Sequence, residues 1–201
     1  MSIPRLLRRA ATVFVCALVL AACSQAPHQF HMTNVSGHMA DLALFQMPTA
    51  EGGKLTAQDL RGKVVAIFFG YTHCPDICPT ALAKLQAVTQ RLGEQAKELR
   101  ILFVTVDPTR DTRAVLQRYM ESYGPQFTAL RPDPEILPKL TSRYHVAYVY
   151  AQPNASGDYI VNHTTRFFVF DQTGQMRLIG RYDESIAAIA SDLAYLINHS
   201  S

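Results

Sequence analysis

Residues 63–79 read KVVAIFFGYTHCPDICP, and this stretch decides the fold. After Lys63, residues 64–69 form a continuous run of apolar, β-branched and aromatic side chains, which is typical of a strand buried on both faces of a sheet. Gly70 and Tyr71 end that run, and two cysteines follow at Cys74 and Cys78. The stretch therefore predicts a central strand that leads directly into a cysteine-bearing turn.

An amphipathic helix is predicted directly after the cysteines. Pro79 stands near its first turn, where proline is tolerated, and apolar residues then recur at three- and four-residue intervals, at Leu82, Leu85, Val88 and Leu92. Both thiols thus lie at a strand-to-helix turn. The free N–H groups and partial positive charge of a helix N-terminus lower the pKa of a nearby cysteine from about 8.5. Each thiol is therefore a candidate to bind a metal or to attack a disulfide.

Strands and helices alternate through the rest of the chain. The pattern predicts strands at 100–106 and 145–150, helices at 111–123, 134–144 and 183–198, and a closing hairpin of 166–170 and 176–180. Residues 40–60 are expected to add an N-terminal β-hairpin. The alternation indicates an α/β domain, and a reactive cysteine turn after a central strand narrows it to a thioredoxin-like fold, with a central mixed β-sheet flanked by helices.

The N-terminus has the pattern of an export signal. Arg5, Arg8 and Arg9 precede a charge-free apolar run, residues 10–22, which is shorter than the roughly 20 residues that a transmembrane helix needs. The following Cys23 completes a stretch that resembles the bacterial lipoprotein box, in which the signal is cut before the cysteine and the cysteine is acylated. We therefore predict a cleaved signal over 1–22, a lipid-anchored tether over 23–35 and one domain over 36–201, facing the periplasm or another extracytoplasmic space.

The net charge of the mature chain gives no reason to expect a nucleic acid partner. The protein has 19 Lys and Arg against 16 Asp and Glu, and three of the arginines lie in the predicted signal. Removing them leaves as many acidic as basic side chains, so the basic isoelectric point belongs to the signal.

Export also changes the redox state that is expected of the cysteines. Outside the cytoplasm a thiol pair is ordinarily oxidised unless a metal or a reductant protects it. Cys16 lies in the signal, so Cys74 and Cys78 are the pair that remains after acylation of Cys23. A structural disulfide between them would close a very small loop and remove little entropy from the unfolded chain. A chemical role explains the pair better.

Three segments together resemble the Sco/SenC family of copper chaperones. Residues 69–79 (FGYTHCPDICP) resemble its signature, residues 106–111 (VDPTRD) resemble its second motif, and His163 with Thr164 resembles its histidine motif. The resemblance covers about residues 36–199. It implies that Cys74 and Cys78 bind copper as thiolates and that His163 completes the site. It also implies copper delivery to, or preparation of the thiols of, the dinuclear copper centre of cytochrome c oxidase, with the copper-bearing oxidase subunit or another copper chaperone as partner.

The chemistry of these three side chains agrees with that implication. Two soft thiolates and an imidazole suit Cu(I) and can also hold Cu(II), whereas a structural zinc site requires four protein ligands. A site with an open position can pass its metal to another protein. The chain departs from the family pattern at Asn162, where an acidic residue commonly precedes the histidine and orients its ring.

The alternative function is a thiol-disulfide oxidoreductase of the cell envelope that uses Cys74 and Cys78, and the sequence leaves open whether the protein is an enzyme. The three-residue spacer disfavours it, because the usual redox motif has two residues between its cysteines. A proline is also missing just before Arg166, where thioredoxin-like redox proteins generally have one. A peroxidase and a structural protein with an incidental disulfide explain the three segments less well.

Other histidines are interpreted as structural. His73 is expected to shape the cysteine loop, and His145 and His199 are each expected to be an ordinary packed or solvated histidine. The tether is rich in soft and imidazole donors that could capture copper transiently, although a polar linker is favoured; these donors are His28, His31, Met32, His38 and Met39.

Three aspartates have two interpretations each. Asp107 and Asp111 follow a predicted strand, at the sheet edge where ligands often bind, but a turn residue and a helix cap explain them equally well. Asp76 either tunes the thiolates or satisfies helix N–H groups. None of the three is placed in the metal site.

Overall fold

The computed structural model describes residues 28–37, 41–42 and 45–199. Within these ranges the chain forms ten β-strands and four α-helices. The strands are β1 (Thr33–Asn34), β2 (Gln46–Pro48), β3 (Lys54–Thr56), β4 (Val64–Gly70), β5 (Leu99–Thr105), β6 (Phe127–Leu130), β7 (Tyr148–Tyr150), β8 (Val161–His163), β9 (Arg166–Phe170) and β10 (Met176–Arg181). The helices are α1 (Ile77–Leu92), α2 (Arg113–Met120), α3 (Leu137–Arg143) and α4 (Ile186–Asn198). Among the described residues, none of these helices has both the length and the apolar character to cross a bilayer.

Six strands form the main sheet, in the order β1-β10-β9-β4-β5-β6. β4 pairs parallel with β5, and β5 with β6, whereas β9 pairs antiparallel with β4 and with β10. All seven residues of β4 are buried, as its continuous apolar run predicts for a strand with neighbours on both sides. The predicted central mixed sheet and thioredoxin-like α/β fold are confirmed.

The packing and the boundaries of the helices follow from particular residues. α1 and α4 pack against each other, and α2 packs against β6. α1 stops at Gly93, whose φ of 55° is a conformation that glycine adopts without strain. A short 3₁₀ helix, Gly93–Glu98, then leads into β5 and was not expected from the sequence. α2 begins at Arg113 because Thr112 caps it, accepting a hydrogen bond from the Val115 N–H, and it ends at Met120, before the predicted end at residue 123.

Two small hairpins lie outside the main sheet. β2 and β3 form the N-terminal hairpin that was predicted within residues 40–60. β7 pairs antiparallel with β8 in a second hairpin, called here the histidine hairpin (residues 148–163). The strand predicted at 145–150 begins later, because His145 has a φ of 52° and lies in the turn after α3. β8 was not predicted, since three residues are too few to show an alternating pattern.

The main sheet begins earlier in the chain than residue 36. β1 pairs antiparallel with β10 and lies within the segment that the sequence predicts as a tether. The buried Asp192 of α4 holds the chain just before β1, because its carboxylate accepts hydrogen bonds from the backbone N–H groups of His31 (2.9 Å) and Met32 (2.8 Å). Cys23, His38 and Met39 lie outside the described residues.

Candidate metal centre

Three side chains that are far apart in sequence meet beside the carboxyl end of β4. Cys74 lies in the turn after β4, Cys78 lies in the first turn of α1, and His163 ends β8. One ligand atom from each, the two Sγ atoms and a ring nitrogen, all lie within 4.8 Å of one another. We call these three residues the metal centre. It comprises the residues that the sequence analysis selected.

The pKa values of the two cysteines are shifted in opposite directions. The backbone N–H of Cys78 points at the Sγ of Cys74 at 3.4 Å, so a free amide of the helix N-terminus faces that sulfur. A hydrogen bond from the Cys78 thiol, helped by the N–H groups of Cys78 and Asp76, lowers the pKa of Cys74 to about 4. The same hydrogen bond, together with burial, raises the pKa of Cys78 far above its usual range. At neutral pH the pair therefore holds one thiolate, on Cys74, and one shared proton.

The sulfur of Cys78 occupies space that only glycine at position 70 leaves free. A Cβ added to Gly70 would lie 2.8 Å from the Cys78 Sγ and 2.8 Å from a ring carbon of Phe103. Cys78 itself is fully buried, whereas Cys74 is only partly buried. The last residue of β4 therefore determines how deeply the second thiol is seated.

A backbone carbonyl orients the imidazole of His163. Its Nδ1 lies 2.9 Å from the carbonyl oxygen of Thr164, and because a carbonyl only accepts hydrogen bonds, Nδ1 carries the proton. Nε2 is then the unprotonated ring nitrogen, and it lies within hydrogen-bond distance of the Cys78 Sγ, at 3.4 Å. The ring packs edge-on against Phe68 and Tyr71.

The exposed Asn162 has no part in this orientation of the ring. Sequence reasoning assigned that task to the residue before the histidine, and the structure assigns it to the Thr164 carbonyl instead. A backbone acceptor leaves no side-chain signal in a sequence, so pattern reasoning misses it.

The metal centre opens on one side into a cavity of about 220 Å³. Among the residues that line it are Cys74 and His163, together with apolar side chains such as Ile77 and Ile160. Larger cavities occur elsewhere, such as one of about 540 Å³ beside Tyr150, but they contain none of the metal-centre residues. A metal ion needs little volume, so the converging donors, and not the size of the cavity, mark the site.

Asp111 does not cap a helix, contrary to one of its two interpretations. Thr112 is the cap of α2, and the fully buried carboxylate of Asp111 accepts hydrogen bonds from the hydroxyls of Thr105 (2.5 Å) and Thr72 (2.6 Å). It also accepts the backbone N–H of Thr72 at 3.1 Å. Burial raises the pKa of Asp111. This carboxylate therefore holds the loop two residues before Cys74.

Asp107 also does more than stabilise its own turn. Its fully buried carboxylate accepts hydrogen bonds from Nε of Arg110 at 2.5 Å and from the hydroxyl of Tyr159 at 3.0 Å. Arg110 and Tyr159 were not selected from the sequence. Arg110 could have been noticed inside the segment 106–111, whereas nothing links Tyr159, 52 residues beyond Asp107, to this loop in sequence.

The remaining candidate side chains that the structure describes are not part of the metal centre. The ring of His73 contacts the Thr72 hydroxyl (3.1 Å) and approaches Asp111 (3.7 Å). His199 stacks on Tyr195 near the end of α4. The carboxylate of Asp76 makes no capping bond to α1, so the Cys78 N–H is left to the Cys74 sulfur.

The donor set fits a soft metal ion. Two sulfurs and a neutral imidazole nitrogen are ligands that Cu(I) prefers, and the spacing of the three atoms allows one ion to contact all of them after small side-chain adjustments. Three donors and an open side leave room for a ligand from another molecule.

Comparison with known proteins gives three findings. A family model described as SCO1/SenC matches residues 34–198. The SCO2-like protein of Rickettsia prowazekii is 32% identical over 134 residues, which cover 65% of this chain and 64% of that protein. The chain thus spans less than two thirds of that relative's length. The solved structure of Bradyrhizobium japonicum ScoI with copper bound is 34% identical, with a TM-score of 0.71, over 78% of this chain and 99% of that one.

A more distant structure shares the fold. BsSco, in which a disulfide switch has been identified, belongs to the Sco family of cytochrome c oxidase assembly proteins. It is 19% identical with a TM-score of 0.63 and covers 83% of this chain and 97% of that one.

Proposed function

The chain belongs to the SCO1/SenC family, and from this premise we propose that it is an extracytoplasmic copper-binding metallochaperone. It delivers copper to, or prepares the thiols of, the dinuclear copper centre of cytochrome c oxidase. Its partner is the copper-bearing oxidase subunit or another copper chaperone. The protein holds Cu(I), and also Cu(II), through Cys74, Cys78 and His163.

The observation that carries this proposal is the convergence of two sulfurs and an imidazole nitrogen within 4.8 Å, beside an open cavity. The thiolate of Cys74 is ready to bind at neutral pH, and Cys78 loses its proton when the metal binds. Three protein ligands leave a position for a partner's cysteine, so the metal can pass between proteins without being released to water.

A second function is favoured by the acidity of Cys74. Its thiolate can attack a partner's disulfide, forming a mixed disulfide and releasing one partner thiolate. Cys78, once deprotonated, then attacks the Cys74 sulfur and releases the second partner thiol. The partner's disulfide gains two electrons, and this chain ends with a Cys74–Cys78 disulfide. This reaction would prepare the thiols of a copper centre for metallation.

Titration of the reduced protein with copper against a competing Cu(I) chelator tests the metal site. We expect one tightly bound Cu(I), with two sulfur neighbours and one nitrogen neighbour by X-ray absorption. Cys74→Ser and Cys78→Ser should each abolish tight binding, because a hydroxyl is a poor ligand for a soft ion. His163→Ala should weaken binding by about tenfold or more.

His199→Ala is the matched control, because His199 stacks on Tyr195 near the end of α4 and is not part of the metal centre. It should bind copper as the unchanged protein does. Equal affinity in all three site variants would overturn the ligand assignment. Failure of the unchanged protein to bind copper, together with a readily reduced Cys74–Cys78 disulfide, would make the oxidoreductase function the primary one.

A further inference from the structure

We propose that residues 107–111, called here the aspartate loop, are a positioning element that holds the cysteine turn and the histidine hairpin in register with each other. This inference rests on the proposed copper site and identifies which residues fix its geometry. The aspartate loop contributes no ligand. It follows β5, next to β4 in the main sheet, and it contacts both parts of the chain that carry the ligands.

One end of the aspartate loop holds the cysteine turn. The Asp111 carboxylate accepts both the hydroxyl and the backbone N–H of Thr72, and it is itself fixed by the Thr105 hydroxyl at the end of β5. All of these contacts are buried or partly buried, where hydrogen bonds to a carboxylate are strong and short. Cys74 follows Thr72 by two residues, so its position is tied to β5.

The other end of the aspartate loop holds the histidine hairpin. Arg110 donates from Nε to Asp107 and from Nη1 to the backbone carbonyl of Tyr159 at 2.8 Å, and its guanidinium lies 3.5 Å above the centre of the Tyr159 ring. The Tyr159 hydroxyl donates a hydrogen bond to the carboxylate of Asp107. Tyr150 on the opposite strand adds a hydrogen bond from its hydroxyl to the Val106 carbonyl at 2.6 Å.

These contacts matter because the histidine hairpin has few other attachments. β7 and β8 pair with each other and not with the main sheet. Val161 of β8 is buried in the core, but Val149 and Ile160 are more than half exposed, so apolar burial anchors only part of this hairpin. His163 is its last residue. The Thr164 carbonyl sets the orientation of the His163 ring, and the contacts of Arg110 and Tyr159 help to place the hairpin that carries it.

The two ends of the aspartate loop predict separable effects. Loss of the contacts at the hairpin end should weaken metal binding by His163 and leave the reactivity of the thiols unchanged. Releasing the cysteine end should change the environment of Cys74 and leave the hairpin in place. A residue that served only global stability would change both together.

The test uses the full chain with the double variant Asp107→Asn/Arg110→Gln, which removes both charges of a buried pair while nearly keeping its volume. We expect amide hydrogen exchange in residues 148–163 of the copper-free protein to rise about tenfold. Cu(I) affinity should fall about tenfold, with loss of the nitrogen neighbour in X-ray absorption, as for other residues that orient a ligand from behind. The alkylation rate of Cys74 should stay within twofold of the unchanged protein.

Thr72→Val tests the cysteine end, because it removes one hydroxyl and keeps the shape of the side chain. It should change the alkylation rate of Cys74 and leave hairpin exchange unaltered. Tyr159→Phe provides a milder hairpin variant in case the double variant does not fold. It removes one hydrogen bond to Asp107, keeps the ring under Arg110, and should raise hairpin exchange in the same direction.

The matched control is Asp171→Asn/Arg177→Gln. This pair is similarly buried, with a 2.9 Å contact, and lies after β9 at the opposite end of the sheet from the metal centre. Unchanged hairpin exchange in both the double variant and Tyr159→Phe would overturn the inference, and so would an equal rise in the control. If the unchanged protein binds no copper, the proposed function fails, while the exchange and alkylation measurements still decide the positioning role.

Discussion

At the scale of single residues, the two thiols of the metal centre are unequal, and the inequality comes from burial and hydrogen bonding. Cys74 is partly exposed and receives hydrogen bonds from the Cys78 thiol and from amides at the start of α1, so its thiolate is stabilised. Cys78 is fully buried beside Gly70 and keeps its proton. An incoming metal or disulfide therefore meets Cys74 first.

The alkylation of Cys74 by iodoacetamide should follow this acidity. Its rate in the reduced, copper-free protein should rise with a midpoint near pH 4, because only the thiolate reacts and the pKa of Cys74 is about 4. A Cys78→Ala variant should move the midpoint to higher pH, since the first cause of the low pKa is the hydrogen bond from Cys78. A midpoint near 8.5 in the unchanged protein would contradict the assignment.

The same acidity affects the pH dependence of stability. Between about pH 4 and the ordinary cysteine pKa of about 8.5, the unfolded chain holds a proton on Cys74 that the folded chain has released. The contribution of Cys74 to the free energy of unfolding therefore grows as pH rises through this window. It is lost as pH falls to about 4.

At the scale of secondary-structure elements, α4 holds residues 28–32, the segment just before β1, against the domain. Asp192 is fully buried within this helix and accepts hydrogen bonds from two backbone N–H groups and approaches the His31 ring nitrogen at 3.0 Å. His28 and Phe30 add ring contacts to Tyr195 of the same helix. Together these contacts place β1 against β10, which lengthens the sheet by one strand.

Replacing Asp192 by Ala should release this segment. Two backbone N–H groups would lose their acceptor, and burying such a group without a partner costs about 1–3 kcal/mol. We expect the free energy of unfolding in urea to fall by about 2 kcal/mol, and amide exchange at residues 31–34 to rise. Asp183→Asn is the control, because its ion pair with Arg181 is exposed and should contribute little. An Asp192→Ala protein as stable as this control would refute the role.

At the scale of the whole molecule, the folded domain and the proposed membrane anchor lie in different parts of the chain and rest on different observations. The family match covers residues 34–198 and does not include the segment predicted to be an export signal. We propose that the protein is anchored in the cell envelope by lipid on Cys23, with its domain on the extracytoplasmic side. The proposal rests on the sequence of residues 1–23, where basic residues, a short apolar run and a cysteine follow in order.

Fractionation of cells that produce Cys23→Ser tests the anchor. This variant should lose acylation and leave the membrane fraction, because the apolar run of the signal is too short to serve as a stable transmembrane helix. Cys16→Ser is the matched control, since Cys16 lies in the segment that we predict to be removed, and it should stay in the membrane fraction. Tight membrane association of Cys23→Ser would favour an uncleaved signal anchor instead.

The features that could be predicted from the sequence are those whose signal is local. The apolar run of β4 and the spacing of Leu82, Leu85, Val88 and Leu92 predict a buried strand and a helix, because burial imposes a period on neighbouring residues. Because Cys74 and Cys78 stand between the apolar run and the helical pattern, the sequence also places the thiols at the junction of strand and helix. The strand β8 escaped prediction because three residues carry no period.

The sequence by itself determined the α/β fold and the choice of Cys74, Cys78 and His163, the last through a family resemblance. Only the tertiary structure decided that His163 lies 3.4 Å from a sulfur 85 residues away, that the Thr164 carbonyl orients its ring, and that the aspartate loop holds both halves of the site. The physical reason is that these decisions depend on hydrogen bonds between distant segments, several of them to backbone carbonyls. Every residue has such a carbonyl, so its use cannot be read from the order of side chains.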